Sequence, residues 1–372
     1  MLNIYEEEKK LANMLVNYSC KVKQNEKVLI TYSDCPDSFI ERLIEEISAV
    51  QAIPVIYRLD KTIKRSLLLS STEKTMEYYR DIVSPIMQSV DAVILIGGSN
   101  NDFELSDVPA KTFSMYSKTY VNPVHFEIRC SKKWVLLRYP TPAFAQRSQM
   151  SSEKFAEFFF NVCTLDYAKM DKKMEPLKQL METTDKVHIV TPTTDLTFSI
   201  KGLPAIKCSG QCNIPDGEIY TAPIKDSVNG QIIFNIPAVD NGVEFNNIKL
   251  VFKNGKIIDF DCNEKEKFQE ILDTDNGSRY LGEFSFGLNP YCINPVKDIL
   301  FDEKMSHSIH LAIGSSYDDC YNGNKSAVHL DLIQKHTEEY GGGKIYFDDV
   351  LIYENGRFIE PKLVDLNAEK LL

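Results

Sequence analysis

The chain has no CxxC pair, although nine cysteines are present, at 20, 35, 130, 163, 208, 212, 262, 292 and 320. Their odd number and irregular spacing argue against a disulfide framework or a zinc ribbon, and favour reduced, buried thiols. No run of eighteen apolar residues occurs, so no membrane span is expected. The opening "MLNIYEEEKK" carries acids where a signal peptide would carry basic residues ahead of an apolar core. Basic residues are in deficit throughout: 42 Lys and Arg against 53 Asp and Glu give a net charge of −11. A general nucleic-acid binder needs a basic face, so that class is set aside; an acidic protein attracts cations instead. Neither GxGxxG nor GxxxxGK[ST] is found, and the turn "LIGGSNNDF" (95–103) is read as a plain loop rather than a phosphate cradle. A nucleotide-binding first half is disfavoured for the same reason. These absences leave a cytoplasmic protein with neither nucleic-acid nor membrane partners as the expectation.

What is there suits a two-domain protein. The length is 372 residues and 43% of them are hydrophobic, enough for a substantial core. Residues 5–22 carry an apolar stripe of Leu11, Met14, Leu15 and Tyr18, which predicts a helix. Apolar runs at 26–33, 53–59 and 91–98 predict strands. Between them, 37–50 predicts a helix, and the helical pattern of 77–90 is expected to break at Pro85. Strands alternating with helices imply a largely parallel sheet. "MSSEKFAEFFFNVC" starts a further helix at a serine cap. The charged stretch 168–186 reads as an exposed helix or connector, and the boundary is placed within it: an N-terminal α/β domain over 1–183, and a β-rich α+β domain over 184–372. Beyond it come short β-type runs, the hairpin signals "KNGK" and "ENGR", and one helical candidate at 265–273.

Four stretches of the second half set ligand-type side chains beside turns or inside apolar strands. "NIPDGEIYTAP" has Glu218 directly after a turn. "SRYLGEFSFGLNP" embeds Glu283 between Leu281 and Phe284. "SIHLAIGSSYDD" holds His310 in an apolar strand and Tyr317 beyond a glycine. "NKSAVHLDLI" alternates so that His329 and Asp331 share a face opposite Val328, Leu330 and Leu332. Each has an ordinary explanation by itself: a turn acid, an edge-strand acid, a hydrogen-bonded core histidine, a packed tyrosine, a solvated strand face. Four such stretches within about 115 residues point instead to a divalent-metal site, because carboxylates and imidazoles suit borderline and hard ions. Three carboxylates converging without metal would repel one another.

The same four stretches, with "DEKMSHSIH" and with "RYPTPAFAQRSQMSSEKFAEFFFNVCTLDY" (138–167), resemble the aminopeptidase T family, the M29 metallopeptidases. The resemblance implies a homodimeric exopeptidase with two divalent ions (Zn, Co, Mn or Mg) that removes residues from peptides with a free N-terminus. It implies Glu218, Glu283, His310, Tyr317, His329 and Asp331 as metal ligands, with Glu218, Glu283 and Tyr317 also catalytic. Glu303 is a further candidate ligand or supporting partner, beside the reading of a surface acid next to Lys304. His307 has no implied role and is expected at the surface. The alternative is a metal-stabilised binding protein without turnover.

Overall fold

The computed structural model describes residues 2–240 and 242–372. It is a mixed α/β protein made of two compact units, Met1–Thr164 with Gly210–Ile214, and Leu165–Ser209 with Pro215–Leu372. The units therefore divide after Thr164 and not after residue 183.

Unit 1 is built on strands β1 (Lys27–Ser33), β2 (Ile53–Arg58), β3 (Ala92–Gly97) and β4 (Lys133–Arg138). They pair in the order β2-β1-β3-β4, all parallel, and Asn213–Ile214 adds a short fifth strand beside β4. The N-terminal segment is helical over Ile4–Asn13 and continues as a wider-turned helix over Met14–Ser19. The helix Asp37–Ala49 buries Phe39, Ile40, Leu43 and Ile47 on one stripe. The helix Glu73–Ser89 departs from expectation, because it runs straight through Pro85. Val83 and Met87, on either side of the proline, are buried in one cluster with Leu29, Val90 and Val93. That shared packing outweighs the one backbone hydrogen bond that proline cannot make. Ser151 caps the helix Ser152–Cys163 through the Lys154 backbone N–H, as its sequence predicts.

Unit 2 stacks two large sheets and carries a two-stranded ribbon of Ala238–Asp240 and Val243–Phe245. The larger has eight strands joined partly by hairpins at Asn254–Gly255 and Asn355–Gly356, where both residues of each pair take positive φ. The smaller has β5 (Ile206–Cys208), β6 (Glu218–Thr221), β7 (Leu281–Gly287), β8 (Ser308–Gly314) and β9 (His329–Lys335). These are antiparallel, in the order β9-β8-β7-β6-β5. Phe284 and Phe286 of β7 meet Phe198, Phe347, Tyr353 and Phe358, so one face of the smaller sheet is sealed by aromatic packing. The helix Tyr167–Thr183, expected as an exposed connector, belongs to unit 2. Its charged composition hides a stripe of Tyr167, Met170, Met174, Leu177 and Met181, all buried at alternating three- and four-residue spacing. Lys207 of β5 bridges to its Asp171 and Glu175.

Candidate metal centre

The face of the smaller sheet opposite the aromatic packing carries the polar residues. Side chains two apart in a strand share a face, so Glu283 and Ser285 of β7 emerge together, as do His329 and Asp331 of β9. Glu218 opens β6 and His310 sits mid-strand in β8. Four neighbouring strands thus deliver five ligand-type side chains to one spot.

The convergence has a specific shape. Glu283 Oε1 lies 3.1 Å from His310 Nε2, while its Oε2 lies 3.4 Å from His329 Nε2. One carboxylate therefore faces two imidazoles with its two oxygens. Glu218 Oε2 stands 3.2 Å from His310 Nε2, and Asp331 Oδ1 stands 3.5 Å from His329 Nε2. Two ligand sets result, Glu218–Glu283–His310 and Glu283–His329–Asp331, each with its donor atoms within 4.8 Å of one another. Glu283 is common to both.

Backbone geometry fixes the histidine of the second set. His329 Nδ1 donates to the Ser315 carbonyl at 2.7 Å, which turns Nε2 toward Glu283 and Asp331. Ser315 comes this close because two glycines let it. A Cβ on Gly282 would lie 2.3 Å from the Ser315 oxygen, and Gly282 occupies a register shift in the β7–β8 pairing just before Glu283. Gly314, at φ +98°, would place a Cβ 2.1 Å from the Val328 oxygen.

A buried lysine completes the cluster. Lys304, 1% exposed, reaches Glu218 at 2.5 Å, Glu303 at 2.7 Å and Asp216 at 3.7 Å. The reading of Glu303 as a surface acid does not hold: its side chain is 14% exposed and points at this ammonium. Ser285 donates to the second oxygen of Glu218. Lys304, Asp216 and Ser285 escaped the sequence reading. Asp216 directly precedes the Gly-Glu of its turn and Lys304 follows Glu303, so position within the motifs was the available signal. Cys208, Asp216 and Glu218 form a third cluster of ligand types, but Lys304 already supplies a cation there, and burial holds the Cys208 thiol well above its usual pKa.

Titration follows from crowding. Burial alone would lower His310, yet its hydrogen bond to Glu283 and the charges of Glu218, Glu283 and Asp331 carry it up to about 9. His329 is likewise raised against burial, by Asp331 and Glu283. Burial opposes ionisation of Glu283 and Asp331, but the facing imidazoles hold both below the usual carboxylate range. Glu303 is pushed up to about 8 by burial and by neighbouring Glu218 and Asp331, against the pull of Lys304. Desolvation and the same carboxylates hold the Tyr317 hydroxyl well above its usual pKa. Tyr317 lies beyond β8, with its ring 4.7 Å from that of His329 and 48% of its surface exposed. His307 stands apart, bonded to the Gly356 carbonyl.

The donor set fits divalent metal. His310 Nδ1, His329 Nε2 and Asp331 Oδ1 are buried and lack a hydrogen-bond partner among the described residues. Orphaned buried polar atoms are costly, and a cation accepting the latter two would satisfy both.

Comparison with known proteins gives the same direction. The family model for thermophilic metalloproteases, M29, matches residues 5–358. Aminopeptidase AmpS of Bacillus subtilis (strain 168) is 33% identical over 170 residues, covering 41% of this chain and 40% of that protein. Aminopeptidase 2 of Geobacillus stearothermophilus is 28% identical over 295 residues, covering 65% of this chain and 69% of that one. The solved structure of wild-type AmpT from Thermus thermophilus superposes with a TM-score of 0.80 at 19% identity, over 95% of this chain and 99% of that one, which establishes the shared fold.

Proposed function

The chain belongs to the M29 family and is a metallo-aminopeptidase, and from that premise we propose that it removes N-terminal residues from peptides with the help of two divalent cations. One observation carries the number two: Glu283 presents a separate oxygen to each of two imidazoles. Charge agrees. Glu218, Glu283, Asp331, Glu303 and Asp216 bring five carboxylates and Lys304 one ammonium. Acids therefore outnumber the one ammonium, an excess that suits cations.

Glu218, Glu283 and His310 would hold one ion, and Glu283, His329 and Asp331 the other, from among Zn, Co, Mn and Mg. Such ions, when bound, polarise a carbonyl and make a water acidic enough to attack near neutrality. The protein's own groups do the rest. Lys304 and Ser285 each take one oxygen of Glu218, which keeps that carboxylate fixed as a ligand. Glu303, bonded to Lys304 beside Glu218, is placed to take a proton from the water and return it to the leaving amine. Tyr317, its ring 4.7 Å from that of His329, would ligate as phenolate or donate to the oxyanion as it forms. Its exposed position beyond β8 suits a group that meets substrate. A homodimer and a cytoplasmic location are proposed with this reading. Among the described residues no helix is long and apolar enough to cross a membrane.

An aminopeptidase must recognise where a peptide begins. A neutral α-amine can ligate metal, or its ammonium can pair with Glu303; acetylation removes both options. Free leucyl peptides should therefore be shortened one residue at a time, and N-acetylated versions should lose about a thousandfold or more in kcat/KM. Mass spectrometry of a mixed digest decides. Comparable cleavage of the acetylated peptide, or internal cuts as first products, overturns the assignment.

A further inference from the structure

Unit 1 contains a cavity of about 280 Å³, lined only by its own residues. The cavity lies at the carboxyl ends of the parallel strands: Ser33 closes β1, Tyr57 lies near the end of β2, Gly97 ends β3 and Arg138 ends β4. Open parallel sheets bind ligands in this place, beside the strand from which the order runs both ways, here β1 between β2 and β3. The volume falls just below the usual range for drug-sized ligands and is too small for a dinucleotide, in keeping with the absent glycine fingerprint.

Its walls are two-sided in character. Leu29, Val83, Met87 and Leu95 supply an aliphatic floor, and Tyr57, Tyr116 and Tyr120 supply aromatic sides. Against these stand Lys61 and Lys64, three apart on the helix Lys61–Ser70, together with Arg138. No hydrogen bond or salt bridge to the Nζ of Lys61 or of Lys64 is found among the described residues. Lys64 rests over the Tyr116 ring at 4.8 Å and Lys61 over the Phe144 ring at 6.0 Å. Burial, then the charge of Lys61, lowers the Lys64 amine. Lys61 is lowered too, by burial and by Arg138 and Arg147, although Asp102 and Asp34 oppose this. His125, also lining the cavity, is held to about 4 by burial and by the charges of Arg129 and Lys64. The local field is positive, in a chain whose net charge is −11. Neither Asp34 nor Asp102 lines the cavity, whose walls carry Lys61, Lys64 and Arg138 and no acidic residue; buried cations facing no carboxylate are what an anion-binding site looks like before its ligand arrives.

We infer that this cavity binds a small organic anion: a carboxylate or phosphate head placed between Lys61, Lys64 and Arg138, with an apolar body against the tyrosines. The site is distinct in residues and chemistry from the acidic centre of unit 2, and it stands whether or not that centre holds two ions.

Calorimetric titration of the full, metal-loaded chain tests it with phenylacetate, phenyl phosphate, inorganic phosphate and benzyl alcohol. One of the two aromatic anions should bind saturably, one per chain, and about tenfold or more tighter than benzyl alcohol or inorganic phosphate. Which anion wins identifies the head group. Lys64→Met and Lys61→Met should each weaken that binding by about tenfold or more, with Lys64→Gln as a second variant and circular dichroism to check folding. Asp331→Asn should leave the affinity unchanged, which separates this site from anion capture by metal in unit 2. Failure of both anions to bind at about 10 mM, equal affinity for benzyl alcohol, or undiminished affinity in the lysine variants overturns the inference.

Discussion

In unit 1 the parallel strands are apolar runs, and polar side chains collect where they end. In unit 2 the antiparallel strands alternate, and polar side chains collect across the middle of one face. The first arrangement gathers Lys61 and Lys64 from one helix, His125 from another and Arg138 from the end of β4; the second takes Glu218, Glu283, His310, His329 and Asp331 from four adjacent strands. The signs differ as well, cationic in one and acidic in the other. Strand ends give a site freedom to change; a strand face gives it rigidity, because each ligand is locked by the register of its neighbours.

The contrast can be broken first at its strongest point. Exhaustive chelation should abolish peptide hydrolysis, and Co²⁺, Zn²⁺ or Mn²⁺ should restore it, because carboxylate and imidazole ligands discriminate weakly among these ions. Full activity with metal verified absent would sink the metal reading. Next come Glu283→Gln, His329→Ala and Asp331→Asn, each expected to lower kcat by about a hundredfold or more with the fold retained by circular dichroism. Glu283→Gln should cost the most, since its carboxylate belongs to both ligand sets. Near-normal turnover of these variants in saturating metal would remove the sheet face from the chemistry.

Lys304→Met tests the internal cation. Removing it leaves Glu218, Glu303 and Asp216 buried without their ammonium, at a cost of about 3–5 kcal/mol. The loss should be larger in chelated protein than in metal-loaded protein, as read by denaturant midpoints, and Lys304→Arg should recover part of it. Gly282→Ala should cost about 1–3 kcal/mol, since its new methyl meets the Ser315 oxygen that orients His329.

The smallest effect is a pH signature. Without metal, His310 is raised from 6.5 to about 9 and Glu303 from 4.5 to about 8. A raised pKa means the folded state holds its proton longer than the unfolded chain does. The stabilisation from His310 is thus full below 6.5 and lost as pH rises through about 9; that from Glu303 is full below 4.5 and lost through about 8. Glu283 and Asp331, held low, work in reverse and lose their contribution in acid. The Tm of chelated protein should fall between pH 6.5 and 9, and metal-loaded protein should not follow it, because cations replace the protons. Parallel curves would count against the ligand sets.

Local alternation explains what could be read without coordinates. His329 and Asp331 announce themselves because the period of a strand is two and their neighbours are apolar, and Glu283 stands out between Leu281 and Phe284 for the same reason. Asn254–Gly255 and Asn355–Gly356 encode their turns in two residues each. Lys304 was not legible: its meaning depends on Glu218, 86 positions away. The helix Tyr167–Thr183 was misplaced because lysines and glutamates on its outer face mask a buried methionine stripe. The persistence of the helix through Pro85 was hidden because it depends on packing of Val83 and Met87 in one cluster with Leu29 of β1, far back in the chain. The cationic cavity left no motif at all, since its residues share no spacing.

Every residue of β7 and of β8 is buried, and both strands are flanked on either side within their sheet. Amide protons in such a setting exchange with solvent only when the whole unit unfolds, whereas loop amides exchange through small local openings. Glu283 and His310 therefore ride on the slowest-exchanging backbone of unit 2, while Tyr317, exposed beyond the end of β8, rides on some of the fastest. On the proposed function, the side chains assigned to the ions thus sit on backbone that keeps its shape through every fluctuation short of denaturation, while Tyr317, assigned to the substrate, sits outside that frame.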